Sequence, residues 1–213
     1  MKIRWNGHAC FTIEAEEGRL VTDPFAQEVP YDLPPTTADV VTVSHDHFDH
    51  NAVDRIDGSP QVAERVGEFT AAGIPIRGIE SFHDDRGGAE RGANRMYAFS
   101  LEGIRLAHLG DLGAPLDKDQ REALSDVEVL FIPVGGHFTI DAACAAEIAR
   151  SLSALRVVIP MHFKTDRIAD WPIATVEEFA SLMDNVRHVG SSAIEVTRAS
   201  MPEKREVWIL DHA

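Results

Sequence analysis

The sequence predicts an α/β fold, and three observations support this prediction. Short apolar or alternating segments, divided by turn residues, fill the first half of the chain, as is typical of β-hairpins. The second half alternates strand-like with helix-like segments, a pattern that favours strands joined through helices. No internal repeat and no low-complexity linker separates the halves, so we expect residues 1–213 to form one domain.

The first half contains the predicted strands that lead to a possible site. They are Lys2–Trp5, Cys10–Ala15, Arg19–Thr22, Asp39–Val43, Gly67–Ala71, Ile74–Glu80, Arg95–Ser100 and Ile104–His108. The fourth of these reads as a buried strand that ends directly before Ser44 and a group of histidines. Chemistry at the C-terminal end of a strand is a common α/β arrangement. A charged, glycine-rich loop from Asp84 to Asn94 is expected to be mobile.

The second half supplies the predicted helices. Helices are expected at Asp117–Leu124, Asp141–Leu152 and Thr175–Asn185, and strands at Val127–Ile132, Val157–Ile159 and Val207–Leu210. The sheets of the two halves are expected to share one core, with the helices outside.

Composition and charge exclude several classes of function. The net charge of -15 repels phosphate backbones and anionic membranes, so we expect neither nucleic acid nor membrane as a partner. No apolar run approaches the roughly 20 residues of a membrane-spanning helix. The N-terminal residues lack the pattern of a secretory signal, which predicts a cytoplasmic location. Cys10 and Cys144 have no CxxC spacing and are expected to be small core residues.

One short segment carries most of the chemical information. Three histidines and two aspartates follow the fourth strand within seven residues, in the order Ser44-His45-Asp46-His47-Phe48-Asp49-His50. Crowded imidazoles repel one another when protonated, whereas neutral imidazole is the commonest metal ligand. In an extended segment His45 and His47 share a face and can bind one ion. A turn after them would let Asp49 and His50 bind a second ion.

The motif His-x-His-x-Asp-His after a strand resembles the signature of the metallo-β-lactamase superfamily. Further landmarks occur in the order typical of that family, namely Asp23-Pro24, His83, Gly110-Asp111 and His162. The resemblance spans nearly the whole chain, which is similar to the small stand-alone hydrolase branch of the family. That branch in turn resembles ascorbate phosphate lactonases. It implies a four-layer αβ/βα sandwich as the fold.

The same resemblance implies a set of metal ligands. By position, His45, His47 and His83 would hold a first divalent ion, Asp49, His50 and His162 a second, and Asp111 would bridge the two. His108 is the substitute ligand if His83 does not bind. Zinc is expected because it is the most frequent ion for such a ligand set, while manganese and iron remain compatible with it.

The implied activity is metal-dependent hydrolysis of a small molecule. A hydroxide that bridges the ions would attack a small ester, a phosphodiester or a lactone, with Asp49 and Asp111 as catalytic residues and Asp49 handling the proton. Two alternatives remain open: an iron-dependent redox enzyme of the same fold, similar to sulfur dioxygenases, and a non-catalytic metal-binding module. The sequence does not predict an oligomeric state.

The remaining polar residues have less certain assignments. His8 either positions the site from the opening turn or simply packs there, and Asp23 is expected to hydrogen-bond the ligand loop. His108 and His137 lie near predicted strand ends on the metal side, where each would either donate a proton or contact substrate, or else support the ligands or be exposed. Three arginines of the charged loop and its end would either meet an anionic substrate or remain solvated: Arg86, Arg91 and Arg95.

Overall fold

Two mixed β-sheets form the framework of the computed structural model, which describes residues 1–213. The strands are β1 (Lys2–Gly7), β2 (Cys10–Ala15), β3 (Gly18–Thr22), β4 (Thr36–Thr37), β5 (Val40–Thr42), β6 (Ile56–Asp57), β7 (Gln61–Ala63), β8 (Gly67–Ala71), β9 (Ile74–Phe82), β10 (Ala93–Leu101), β11 (Ile104–His108), β12 (Val129–Pro133), β13 (Val157–Met161), β14 (Val186–His188), β15 (Ala193–Glu195) and β16 (Glu206–Ile209). The helices are α1 (Lys118–Ala123), α2 (Ala142–Ser151) and α3 (Val176–Ala180), with 3-10 helices at Val53–Arg55 and Asp166–Ile168.

The sheets combine hairpins with parallel strands. The first has the order β15-β1-β2-β3-β5-β7, and the second has the order β14-β16-β13-β12-β11-β10-β9-β8. Strands β8 to β11 form an antiparallel meander, whereas β11, β12, β13, β16 and β14 pair in parallel. A separate pair joins β4 and β6. In the second sheet the change from hairpins to parallel strands occurs at β11, close to where the sequence predicts it, while the first sheet already pairs β3, β5 and β7 in parallel.

Strand alternation divides the core into two clusters. Because successive side chains of a strand point to opposite faces, Phe11 and Ile13 of β2 enter a cluster of 51 buried residues drawn from both sheets and from α2 and α3. Cys10 of β2 faces the other way, into a cluster of ten that also contains Phe25 and Ile168. The first sheet is therefore buried on both faces, and loops and 3-10 helices form its outer layer. The α/β prediction and its four-layer sandwich are confirmed.

The structure differs from the prediction mainly in short elements. Strands β4, β6, β7, β14 and β15 have two or three residues each, too few to show a periodic pattern in sequence. The helix predicted to reach Asn185 ends at Ala180. Asn185 has a left-handed φ of 56°, and the chain then joins the second sheet as β14. None of the α-helices, the longest of which has ten residues, has the length and apolar character of a membrane span.

The strand ends of both sheets lead to the same region. Strand β5 is followed by the histidine-rich loop, β9 by His83, β11 by Asp111 and β13 by His162. Because β11, β12 and β13 are parallel, the ends of β11 and β13 lie at one edge of the second sheet. The fold thus gathers residues that are distant in sequence.

Candidate metal centre

Asp111 lies at the centre of the gathered residues. Its Oδ2 atom is 3.2 Å from Nε2 of His162, 3.3 Å from Nε2 of His50 and 3.4 Å from Nε2 of His83. Its Oδ1 atom is buried and makes no hydrogen bond in the structure. A buried carboxylate oxygen without a partner is costly unless a cation is bound nearby, so Asp111 has the environment of a metal ligand.

The backbone around Asp111 explains the Gly-Asp pair. Gly110 has a left-handed φ of 55°, and a Cβ atom there would lie 2.6 Å from Cβ of Ser44. The amide of Asp111 donates to Oδ1 of Asn94 at 3.0 Å, and Nδ2 of Asn94 donates to Oγ of Ser81 at 2.7 Å. Only glycine permits the ligand loop and this turn to approach so closely. Sequence reasoning missed the contribution of Asn94 and Ser81, which carry no local motif.

A second group contains the first two histidines of the motif. The ligating atoms of His45, His47 and His83 lie within 4.8 Å of one another, and Nε2 of His45 is buried without a hydrogen-bond partner. His45 and His83 are buried, whereas His47 is exposed. Imidazole nitrogens this close together suit one divalent ion. The structure thus brings together the three residues assigned to a first ion.

Hydrogen bonds orient His45 and His50 within the ligand loop. Nδ1 of His50 lies 2.9 Å from Oδ2 of Asp23, and Oγ of Ser44 donates to the same oxygen at 2.5 Å. The amide of Ser44 donates to Oδ1 of Asp23 at 2.9 Å, and Oγ of Ser44 lies 2.9 Å from Nδ1 of His45. With an Nδ1 proton on His50 directed to Asp23, the Nε2 lone pair faces Asp111. Asp23 therefore hydrogen-bonds the ligand loop, as its sequence position suggests.

His8 is closer to the cluster than sequence reasoning expected. Its Nε2 atom lies 3.1 Å from Oδ2 of Asp49 and 3.2 Å from Nε2 of His50. Its ring centroid is 4.3 Å from that of His162. The sequence signal that points to it is Gly7-His8 between two strands, which by itself does not indicate a contact with the histidine motif.

The electrostatics of the protein groups favour ionised carboxylates at Asp49 and Asp111, a neutral His45 and a proton on His50. Burial, followed by the repulsion of His50, lowers the pKa of His45 to about 3. Burial would raise the pKa of Asp111, but His162 and His50 outweigh it and hold that pKa well below its ordinary value. Burial also opposes charge on His50, yet Asp111 and Asp23 keep its pKa well above the ordinary value. The pKa of Asp49 is likewise held low, because the hydrogen bond from His8 outweighs burial. A divalent ion bound by His50 would displace the proton on that residue, because an imidazole ligates through a free lone pair.

The donors fit divalent metal ions. Neutral imidazoles and ionised carboxylates are ligands for zinc, manganese and iron, and buried Nε2 of His45 and Oδ1 of Asp111 have no partner in the protein. All seven residues assigned from sequence lie in this cluster, namely His45, His47, Asp49, His50, His83, Asp111 and His162. The cluster thus has the donors needed to bind metal.

Two other histidines lie apart from the ligand set. Nε2 of His108 is 2.8 Å from the carbonyl oxygen of Ala9, and its Nδ1 accepts from the amide of Gly110 at 3.2 Å. Both of its nitrogens are therefore engaged, and the suggestion that it substitutes for His83 is wrong. His137 is exposed, with its ring edge-on to that of Phe138.

The charged loop after β9 has a defined path. The buried carboxylate of Asp84 accepts backbone hydrogen bonds of 2.8–2.9 Å from Arg86, Gly88, Glu90 and Arg91. A single carboxylate thus organises the segment that the sequence predicts to be mobile. The loop contains two of the three candidate arginines, Arg86 and Arg91.

The three candidate arginines have different positions. Arg91 lines the cavity beside the metal centre, whereas Arg86 is exposed and pairs with Glu90. Arg95 lies in β10 and donates to the carbonyl oxygen of Ser44 at 3.2 Å. Arg91 is therefore the arginine that can meet a molecule bound at the cluster.

A cavity of about 660 Å³ opens onto the metal centre. Its acidic and imidazole wall includes Asp49, His83, Asp111 and His162, and its apolar wall comprises Phe48, Phe138, Trp171 and Pro172. The side chain of Phe48 is 55% exposed, which is unusual for a phenylalanine in a monomer. The arrangement can bind a small molecule with its reactive group toward the ligands and an organic part against the rings.

A histidine and aspartate metal centre at the strand ends of an αβ/βα sandwich defines the class of metallo-β-lactamase-fold proteins. The sequence profile described as the beta-lactamase superfamily domain matches residues 2–162 of this chain. The chain therefore belongs to that superfamily.

Similar proteins agree on a metal-dependent activity. A metal-dependent hydrolase of Pyrobaculum neutrophilum is 31% identical over 195 residues, covering 78% of this chain and 85% of that protein. One from Thermoplasma volcanium is 28% identical over 194 residues, covering 78% and 84%. A crystal structure from Thermotoga maritima, described as a candidate zinc-dependent hydrolase of the metallo-β-lactamase superfamily, has 39% identity and a TM-score of 0.82, covering 98% and 97% of the two chains. Family, fold and cluster together define a metal-dependent hydrolase.

Proposed function

We propose that this protein is a dinuclear metal-dependent hydrolase that acts on a small ester, either a phosphodiester or a lactone. The position of Asp111 carries the proposal. One of its oxygens lies 3.2–3.4 Å from imidazole nitrogens of His50, His83 and His162, which come from three separate loops. His83 is assigned to the first ion, and His50 and His162 are assigned to the second. A carboxylate that lies close to ligands of both ions is well placed to bridge them.

The proposed ligands divide as the sequence suggests. His45, His47 and His83 hold one ion, and Asp49, His50 and His162 hold the other, with Asp111 between them. Divalent ions held in this way lower the pKa of a water molecule toward about 7 and polarise the bond under attack.

Asp49 is the proposed proton acceptor. Its side chain is 15% exposed and lines the cavity, so it can contact an attacking water molecule directly. Its pKa lies well below the ordinary value, because hydrogen bonding from His8 and the charge of His50 outweigh burial. Asp49 is therefore ionised at neutral pH and able to orient the water molecule. Because a lowered pKa makes a carboxylate a weaker base, proton transfer to Asp49 depends on the metal ions lowering the pKa of the water as well.

The cavity walls support a small organic ester as substrate. Phe138 and Trp171 offer aromatic faces to the non-reacting part of the molecule and reduce the access of water. The guanidinium of Arg91 lies 5.9 Å from the centre of the Phe138 ring, so a cation and an apolar surface occur side by side. A phosphodiester would use both features, whereas an uncharged lactone would use mainly the rings.

Metal analysis combined with a substrate panel tests the proposal. We expect about two equivalents of zinc or manganese per chain and turnover of bis(p-nitrophenyl) phosphate, of an aliphatic lactone, or of both. Arg91→Gln should raise KM for the anionic phosphodiester by roughly 10-fold, the loss of one charge-assisted contact, whereas the exposed Arg86→Gln should not. One iron per chain with oxygen consumption would instead indicate the redox alternative. A protein with two bound ions that hydrolyses no ester, thioester or β-lactam would contradict the proposal.

A further inference from the structure

The ring of His8, from the turn between β1 and β2, lies beside the proposed second ion site. Nε2 of His8 is 3.2 Å from Nε2 of His50 and 3.1 Å from Oδ2 of Asp49. The ligating atoms of His8, His50 and His162 all lie within 4.8 Å of one another. Three imidazole nitrogens therefore lie together, and Oδ2 of Asp49 is 3.1 Å from Nε2 of His8 and 3.8 Å from Nε2 of His50.

The separations are those of atoms that share a metal ion. Zinc–nitrogen bonds of 2.0–2.1 Å place neighbouring ligands of a tetrahedral ion about 3.3 Å apart, and of an octahedral ion about 3.0 Å apart. The two contacts made by His8 and the 3.3 Å contact between His50 and Asp111 all have this size. Nε2 of His50 faces Asp111, and the same nitrogen lies 3.2 Å from Nε2 of His8.

Two hydrogen bonds hold the backbone of His8 in an unusual conformation. Its φ of 52° is left-handed, a conformation that is strained for histidine. Its carbonyl oxygen accepts from Nε1 of Trp5 at 3.0 Å and from the amide of His162 at 3.2 Å. The second of these bonds connects His8 to another proposed ligand. Strain that surrounding contacts maintain is a feature of functional sites.

The environment of the ring matches that of two proposed ligands. Nδ1 of His8 is buried without a hydrogen-bond partner, as are Nδ1 of His83 and Nδ1 of His162. In all three residues Nε2 faces the cluster. The ring also packs edge-on against Trp171 at 5.5 Å, so Trp171 separates it from the open cavity.

We propose that His8 is an additional ligand of the second metal ion, beside Asp49, His50, His162 and the shared Asp111. This inference rests on the proposed two-ion function. The first strand pair then supplies a ligand of its own, and the second ion has more protein ligands than the seven-residue set provides.

The test uses His8→Asn, because asparagine tolerates the left-handed conformation while removing the imidazole. His137→Asn is the matched control, since His137 is also left-handed, with φ 57°, but is exposed. We expect His8→Asn to weaken binding of the second zinc equivalent by more than about 10-fold. Removing a residue that only hydrogen-bonds a metal ligand already costs about this much affinity, so losing a ligand should cost at least as much. It should also alter the visible absorption of the cobalt-substituted protein. His137→Asn should change neither.

Two further measurements separate a ligand from a positioning residue. In an Asp49→Asn background, the effect of His8→Asn on zinc affinity should persist; if His8 acts only through Asp49, the effect should vanish. In wild-type protein loaded with ¹¹³Cd, Nε2 of His8 should show a one-bond coupling to the metal, which does not depend on the folding of any variant. Unchanged zinc affinity in His8→Asn, or no such coupling at a filled second site, would overturn the proposal. A wild-type protein that binds only one ion would instead refute the two-ion function.

Discussion

Nδ1 of His50 lies 2.9 Å from Oδ2 of Asp23, and both side chains are fully buried. Asp23 itself has a left-handed φ of 39° and also accepts two hydrogen bonds from Ser44. The pair determines which nitrogen of His50 faces the cluster, because a proton held between Nδ1 and the carboxylate leaves Nε2 free.

The variant Asp23→Asn tests this arrangement. An amide in place of the carboxylate can donate to Nδ1, which moves the proton to Nε2 and removes the lone pair from the ion site. We expect metal affinity to fall by about 10- to 100-fold, as for other outer-shell ligands. Isothermal titration with zinc measures the effect, and Asp32→Asn on the surface serves as the control. Equal affinities for Asp23→Asn and wild type would show that Asp23 does not orient His50.

Asp111→Asn should eliminate metal-dependent hydrolysis. The amide keeps the size of the side chain but loses the charge that three imidazoles surround. Turnover should fall by more than about 100-fold, beyond the range of outer-shell changes, and the protein should retain fewer than two ions. Asp126→Asn, at an exposed site, controls for general loss of charge. Wild-type turnover in Asp111→Asn would exclude a bridging role.

Asp84 should control the integrity of the loop after β9. Backbone hydrogen bonds from Arg91, Glu90, Arg86 and Gly88 hold the pKa of Asp84 well below its ordinary value. Because the folded pKa lies below the unfolded one, this stabilisation is present at neutral pH. It declines as the pH falls below about 3.9, the ordinary aspartate pKa.

Limited proteolysis tests this prediction at neutral pH. Asp84→Ala should speed tryptic cleavage after Arg86 and Arg91, because the loop loses four hydrogen-bond acceptor contacts. Asp85→Ala changes the adjacent, exposed carboxylate and should leave the cleavage rate unchanged. If both variants are cut at the wild-type rate, the carboxylate of Asp84 does not hold the loop.

The two cysteines should react slowly with thiol reagents. Burial, the largest effect on each, raises the pKa of Cys10 to about 12 and that of Cys144 to about 11. At pH 8 the fraction of Cys144 present as reactive thiolate should be on the order of 100-fold smaller than for an ordinary thiol, and that of Cys10 smaller still, so both should react slowly. Titration with dithiobis(nitrobenzoate), with Cys144→Ser as control, measures this. Rapid release of two equivalents from the folded protein would contradict the prediction, whereas release after denaturation is expected.

The sequence predicts the local parts of this molecule well. The ligand motif from His45 to His50 is short, and its spacing after an apolar strand is enough to predict a metal site. The sequence predicts the strands longer than four residues, because they either alternate, as β9 does, or form continuous apolar runs, as the fully buried β12 and β13 do. Strands such as β7 and β14 escaped prediction, because neighbouring strands stabilise them and their own three residues carry no pattern.

Long-range contacts explain what the sequence could not predict. Arg86, Arg91 and Arg95 look equivalent in sequence, yet only Arg91 lines the cavity of about 660 Å³. The Asp84 carboxylate sets the path of the loop that carries Arg91, whereas Arg95 donates to the carbonyl oxygen of Ser44. From sequence, His108 is a possible substitute ligand. In the structure its Nε2 atom is instead hydrogen-bonded to the carbonyl oxygen of Ala9.

By itself, the sequence determined the α/β class, the metal-binding motif and the residue types able to hold two ions. The tertiary structure alone decided that His8 faces Asp49 and His50, that Asp23 orients His50, and that aromatic rings form one wall of the cavity. The physical reason is that ligand spacing within one loop is local, whereas these contacts depend on how two sheets pack and which strand ends meet.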